Sequence, residues 1–123
     1  MQTGRVITRD ADIKALLAAA RTIAVVGLSP KPDRDSYQVA AYLQRHGYRV
    51  LPVRPAQAEI LGERAYASLD DIAGPVDIID VFRSPEQVLP HAREALRLNP
   101  RVFWMQEGVE SQDAAALLTA AGI

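Results

Sequence analysis

The 123-residue chain contains no cysteine. That excludes disulfides, a thiolate metal site and a thiol nucleophile, and leaves the redox compartment open. No apolar run approaches the ~20 residues needed to span a bilayer. Residues 1–10 are polar and carry Arg5 and Arg9, without the apolar core of a secretion signal. The default expectation is therefore a cytoplasmic protein with no membrane role. Charge of one sign is also missing: the formal net charge is -1, which argues against a general binder of nucleic acid or other polyanions. Lysine is scarce, Lys14 and Lys31 alone, so arginine carries most of the basic charge. There is no repeat, low-complexity tract or internal linker. What remains is ordinary globular material, 49% hydrophobic and 24% charged. It is long enough for one domain with a proper core, expected to cover 1–123.

Helical and strand patterns alternate along the chain. Ile13, Leu16, Leu17 and Ala20 recur at helical spacing and predict a helix over about 10–20. The apolar run at 23–26 predicts a strand over 23–27, buried on both faces of a parallel sheet. Asp35 with Gln38 reads as a capping box opening a helix. Val39, Leu43 and His46 lie on one face of that helix, and Gly47 reads as its left-handed cap. A strand over 49–53 follows. The stretch 56–74 is less regular, with a turn at Gly62 and one short helical turn at 68–71. A third strand is expected over 77–82. Ser84, Pro85 and Gln87 mark a strong helix start. Pro90 predicts a kink or a restart, because its ring clashes with the Glu86 carbonyl. Asn99 and Pro100 end that helix, a fourth strand covers 102–105, and a final helix covers 111–121. The alternation would next call for a strand, so a C-terminal strand is expected to be missing after Ile123.

This order predicts an α/β fold: a Rossmann-like, three-layer arrangement around a mostly parallel sheet. Ligands bind such sheets outside the carboxyl ends of the strands. Four loops should then share one edge: 29–35, Arg54 with Pro55, Arg83 with Ser84 and Pro85, and Gln106 with Glu107 and Gly108. Gly27 serves either tight packing of the strand end or close approach of a ligand. A dinucleotide fingerprint would place glycine at 29 and 32, where this chain has Ser29 and Pro32. It would also place a carboxylate at the end of the second strand, where Arg54 stands. Both departures count against NAD. Arg54 is either a solvated strand-end arginine or a partner for a phosphorylated ribose, as in NADP or coenzyme A.

Lys31 and Arg34 flank the expected helix N-terminus, where positive charge is unfavourable unless an anion arrives; Asp33 and Asp35 offset it in part. Ser29 and Ser36 serve either as donors to phosphate oxygens or as turn caps. Pro55, Phe82, Arg83 and Pro85 are candidate walls for a flat base; the conservative alternative is that Phe82 is core, Pro85 a helix start and Pro55 only a strand end. Trp104 reads as core. His46 reads as part of a helix end and His91 as a helix-surface residue, neither with a serine or carboxylate at a telling spacing. Asp77 and Asp80 fall on opposite strand faces. No metal motif and no catalytic constellation emerges.

Six stretches carry a family resemblance: 23–34 (IAVVGLSPKPDR), 46–53 (HGYRVLPV), 60–63 (ILGE), Tyr66 with Ser68 and Leu69, 76–83 (VDIIDVFR), and 104–109 (WMQEGV). In this order, over most of the chain, they resemble the small CoA-binding proteins that share the Rossmann-like fold of the N-terminal domain of the succinyl-CoA synthetase α subunit. The resemblance implies about five parallel strands with CoA along their carboxyl edge. Ser29, Pro30 and Lys31 would hold the phosphates. Val53, Arg54 and Pro55, with Phe82, Arg83, Ser84 and Pro85, would flank the adenosine. Gln106, Glu107 and Gly108 would lie near the pantetheine arm.

The chain departs from that family in two ways. Members usually carry asparagine at the position of Arg54, and they usually continue past Ile123 with a strand and a cysteine-containing tail. The synthetase's phosphorylated histidine belongs to a second domain, so the likeness implies no ligase activity. The expectation is a stand-alone CoA or acyl-CoA binder without catalysis of its own. The alternatives are an NADP-binding oxidoreductase-type domain and a regulatory partner of a separate acyl-CoA enzyme. A receiver-type domain would need acidic residues where Val26 and Gly27 stand.

Overall fold

The computed structural model describes residues 18–55, 58–82, 85–100, 102–105 and 117–118. At its centre are four parallel strands: β1 (Thr22–Val26), β2 (Arg49–Val53), β5 (Ile78–Val81) and β6 (Val102–Met105). Their order across the sheet is β2-β1-β5-β6. Helix α1 (Asp35–Arg45) connects β1 to β2, and helix α2 (Pro85–Leu98) connects β5 to β6. Between β2 and β5 lie a small antiparallel hairpin, β3 (Glu59–Ile60) with β4 (Glu63–Arg64), and a 3-10 turn at Leu69–Asp71. The fold is Rossmann-like α/β with a parallel sheet, as the alternating pattern predicts.

Strand alternation sorts the side chains into two cores. Ala24, Val26, Leu51, Val53, Ile79 and Val81 face α2 residues Val88, Ala92 and Ala95, joined by Leu118. Ile23, Val25, Val50 and Ile78 face Ala40 of α1, Leu28 and Ile60 of the hairpin. Both faces of β1 are therefore dry, which is why its sequence is apolar without alternation. Burying a Val or Ile of this kind contributes roughly 1.5–3 kcal/mol before chain entropy is counted.

Pro52 is tolerated inside β2 because that strand is a sheet edge. Its carbonyl accepts the Tyr66 N–H at 2.8 Å. Carbonyl and N–H of one residue point to the same side of a strand, so the missing N–H faces that edge and no bond to β1 is lost.

Several local expectations change. The capping box does not form: the residue preceding the first helical turn is Arg34, with no side-chain cap bond, and Asp35 is already helical. The buried face of α1 runs through Ser36 and Ala40, with His46 exposed rather than aligned with Leu43. At the other end of α1 the reading holds in detail. Gly47 has φ +88 and donates to the Gln44 carbonyl, while Tyr48 donates to the Leu43 carbonyl. That pair of bonds is a Schellman cap.

Pro90 does not divide α2, which runs continuously through it with no restart. The hairpin in 56–74 has no counterpart in the sequence expectations. It turns at Leu61 (φ +55) and Gly62 (φ +75). Positive φ at both central residues is the hairpin's I′ geometry, and Leu61 there replaces the usual Asn or Asp. The sheet has four strands among the described residues, against the five that the resemblance implies. Ala18, Ala19, Leu117 and Leu118 are helical, and the rest of the first and last expected helices lies outside the described residues. No helix among the described residues is long and apolar enough to cross a membrane.

Candidate functional site

After β1 the chain goes to β2 on one side, and it later places β5 on the other side. The strand order thus reverses next to β1, and a crevice opens at the carboxyl ends there. A cleft of about 570 Å³ occupies that position, lined by Gly27, Ser29, Pro30, Lys31, Arg34, Asp35, Ser36, Arg54 and Phe82. These residues come from three strand ends and one helix start. Backbone bonds lock the ends together: Gly27 N donates to Val53 O at 2.8 Å, and Phe82 N donates to Val26 O at 2.9 Å. Gly27 needs its φ of +80 to turn out of the sheet at this point.

The loop after β1 is organised by its two serines. Ser29 N donates to Ser36 Oγ at 3.0 Å, and Lys31 N donates to Ser29 Oγ at 3.1 Å. Arg34 N then closes a turn onto Lys31 O at 3.1 Å. Both hydroxyls therefore cap the turn as acceptors. A hydroxyl has one proton besides its two lone pairs, so accepting these bonds does not use up either O–H. The two sequence readings of Ser29 and Ser36 are compatible.

The start of α1 has no side-chain cap, so its first N–H groups have no partner within the helix. Arg34, Asp35 and Ser36 line the cleft, which places the positive end of the helix dipole beside it. Lys31, Arg34 and Arg54 add three cations, against Asp35 as the lining carboxylate. None of the three side chains has a hydrogen bond or ion pair among the described residues. Asp35 is the lining residue that the sequence reading did not place in the site. The sequence reads it as a capping-box residue and an offset to the loop cations; in the structure it is the first residue of α1 and lines the cleft.

The other candidates fall elsewhere. Val53 is 2% exposed, with its side chain in the core facing α2; it reaches the site only through the carbonyl that accepts Gly27 N. Pro55 is exposed beyond β2 and does not line the cleft. Phe82 lines the cleft and also packs on the core facing α1. Trp104 packs on that same core. Pro85 is the first residue of α2. Arg83, Ser84, Gln106, Glu107 and Gly108 lie outside the described residues.

One constellation escaped the sequence reading. His91 Nδ1 lies 2.8 Å from Glu94 Oε1, and Ser68 Oγ donates to Glu94 Oε2. His91 does have a carboxylate partner, three positions on. The carboxylate sits in the middle, however, and accepts the serine O–H itself. His91 is therefore not placed to act as a base on Ser68. The group ties α2 to the 3-10 turn, as Arg97 does by donating to the Leu69 and Ile72 carbonyls at 2.8 and 3.0 Å. His46 stacks on Tyr42, with ring centroids 4.0 Å apart.

Fold and cleft together define a Rossmann-like domain with a cation-lined cleft at its carboxyl edge. The chain belongs to the CoA binding domain family, whose model matches residues 21–123. It is 44% identical over 112 residues to the uncharacterized protein YneT of Bacillus subtilis, covering 91% of this chain and 83% of that protein. A hypothetical protein from Pyrococcus horikoshii has a solved structure that matches with a TM-score of 0.90 at 35% identity, covering 100% of this chain and 88% of that one. A 59-residue stretch is 39% identical to acetate–CoA ligase (ADP-forming) II subunit alpha of Pyrococcus furiosus, covering 47% of this chain and 13% of that subunit.

Proposed function

We propose that this protein binds coenzyme A or an acyl-CoA in the cleft between the ends of β1, β2 and β5, as a single domain that catalyses no reaction by itself. One observation carries the reading: three cations without partners among the described residues surround a helix N-terminus lacking a side-chain cap, at the point where the strand order reverses. Such an arrangement is unfavourable when empty and favourable with a polyanion. Family membership supports coenzyme A as that polyanion. The diphosphate lies against the loop from Ser29 to Ser36, held by Lys31, Arg34 and the free helix N–H groups. Phe82 supplies an apolar wall. Arg83 and Ser84 extend that wall, and Gln106, Glu107 and Gly108 take the pantetheine arm, on the resemblance alone.

The ligase subunit that shares a short stretch with this chain is a much longer protein. Binding without turnover fits a chain whose Ser68, Glu94 and His91 form a structural tie rather than a nucleophile.

Native mass spectrometry of freshly purified protein, followed by calorimetric titration with CoA, tests the binding. A co-purified CoA mass or saturable binding is the expected result, and no binding to CoA or acetyl-CoA overturns the reading. Titration with NADP is the control for the dinucleotide alternative, which Ser29 and Pro32 oppose. Turnover of acyl-CoA with nucleotide, or of NADPH with carbonyl compounds, above a heat-killed control would overturn the non-catalytic part.

A further inference from the structure

We infer that Arg54 is the specificity-determining residue for the ribose end of the ligand: it recognises a phosphate on the adenosine ribose, so that this chain discriminates CoA from dephospho-CoA. The inference rests on the CoA reading above and adds a role for one side chain. In a Rossmann-like site the residue ending the second strand meets the ribose, and a carboxylate there selects free ribose hydroxyls. Here the position holds a guanidinium, which repays binding only if the ribose brings negative charge.

The structure adds three things to that chemistry. Arg54 lines the same cleft as Lys31 and Arg34 but comes from β2, the strand beside β1. Neighbouring strands lie about 4.8 Å apart, so a ligand with its diphosphate on the β1 loop extends its ribose toward β2. The base of Arg54 is also fixed. Its N–H donates to Tyr66 O at 2.8 Å, and the preceding Val53 accepts Gly27 N and bridges to Tyr66. Finally, the side chain is free while its neighbour is engaged. Arg64, on the adjacent hairpin, places its guanidinium 5.2 Å from the centroid of the Tyr66 ring. Arg54 has no hydrogen bond or ion pair from its side chain among the described residues. A half-buried arginine with a rigid base and an unengaged head is placed to meet a ligand rather than to hold the fold.

The test is calorimetric titration of CoA and dephospho-CoA into the parent, Arg54→Ala, Arg54→Gln and Lys31→Ala. One charge-assisted contact corresponds to roughly a ten- to hundredfold preference, with exposure and salt favouring the lower figure. The parent should prefer CoA by that margin. Both Arg54 variants should bring the ratio close to one, mostly by losing CoA affinity, with unchanged melting temperatures. Lys31→Ala should weaken both ligands together and leave the ratio intact, because the diphosphate is common to both. If the parent and the Arg54 variants show the same ratio while binding persists, Arg54 is only a solvated strand-end arginine and the inference fails alone. If the parent binds neither ligand, the CoA reading fails and takes the inference with it.

Discussion

The backbone N–H of Ser29 donates to the hydroxyl of Ser36 at 3.0 Å, across seven residues and out of solvent. That single bond connects the turn leaving β1 to the first turn of α1, and so sets the shape of the cleft-lining loop. It explains why a serine, in the first turn of an uncapped helix, is buried.

Ser36→Ala leaves the Ser29 N–H buried without a partner. The cost should be about 1–3 kcal/mol, a drop in melting temperature of roughly 4 °C per kcal/mol for a domain of this size. Because the loop loses its tie, CoA affinity should fall as well. Thermal melts and titration of the same preparation check both effects, and a variant as stable as the parent would show that the bond contributes nothing net.

Lys31→Ala should behave in the opposite way. The side chain is exposed and has no internal partner among the described residues, so stability should not change. Loss of one exposed cation from a diphosphate site corresponds to about a three- to tenfold weaker CoA affinity at moderate salt, shrinking as salt rises. Equal affinity in variant and parent would remove Lys31 from the site.

Gly47→Ala isolates a backbone effect. A Cβ at Gly47 would meet nothing within 4 Å, yet φ is +88. The destabilisation should therefore be about 1 kcal/mol from the left-handed conformation alone. Gly47→Asn should cost less, since asparagine tolerates this region better. Urea unfolding with equal m-values measures the difference; an alanine variant as stable as the parent would contradict the assigned cap.

Asp77→Ala separates stability from binding. The Asp77 carboxylate accepts the backbone N–H groups of Arg21 and Thr22 at 2.8 and 3.0 Å, joining the start of β1 to the start of β5. This is the amino edge of the sheet, across the domain from the cleft. Removal should cost about 1–3 kcal/mol and leave CoA affinity at the parental value below the melting transition. A loss of affinity in the folded variant would mean that the two sheet edges are coupled.

The sequence alone determined the order of the main strands and the helices between them, because those signals are local. The apolar run at 23–26, the β-branched stretch at 77–82, the breaker Gly47 and the Asn99–Pro100 stop each act within a few residues. With the rule that ligands sit at carboxyl edges, the same signals point to Gly27, Ser29, Lys31, Arg34 and Arg54 as neighbours before any coordinates. The tertiary structure decided the rest, because it depends on contacts between residues far apart in sequence. The start of α1 at Asp35 without a capping box goes with Ser36 turning inward to Ser29. Val53 and Arg54 are adjacent in sequence, but strand alternation buries one side chain and leaves the other on the cleft. Asp77 reaches back more than fifty residues to Arg21 and Thr22. Glu94 sits between Ser68 and His91 only because α2 packs over the 3-10 turn. Periodicity cannot report such pairings, since burial and partner choice are set by what the finished sheet brings alongside.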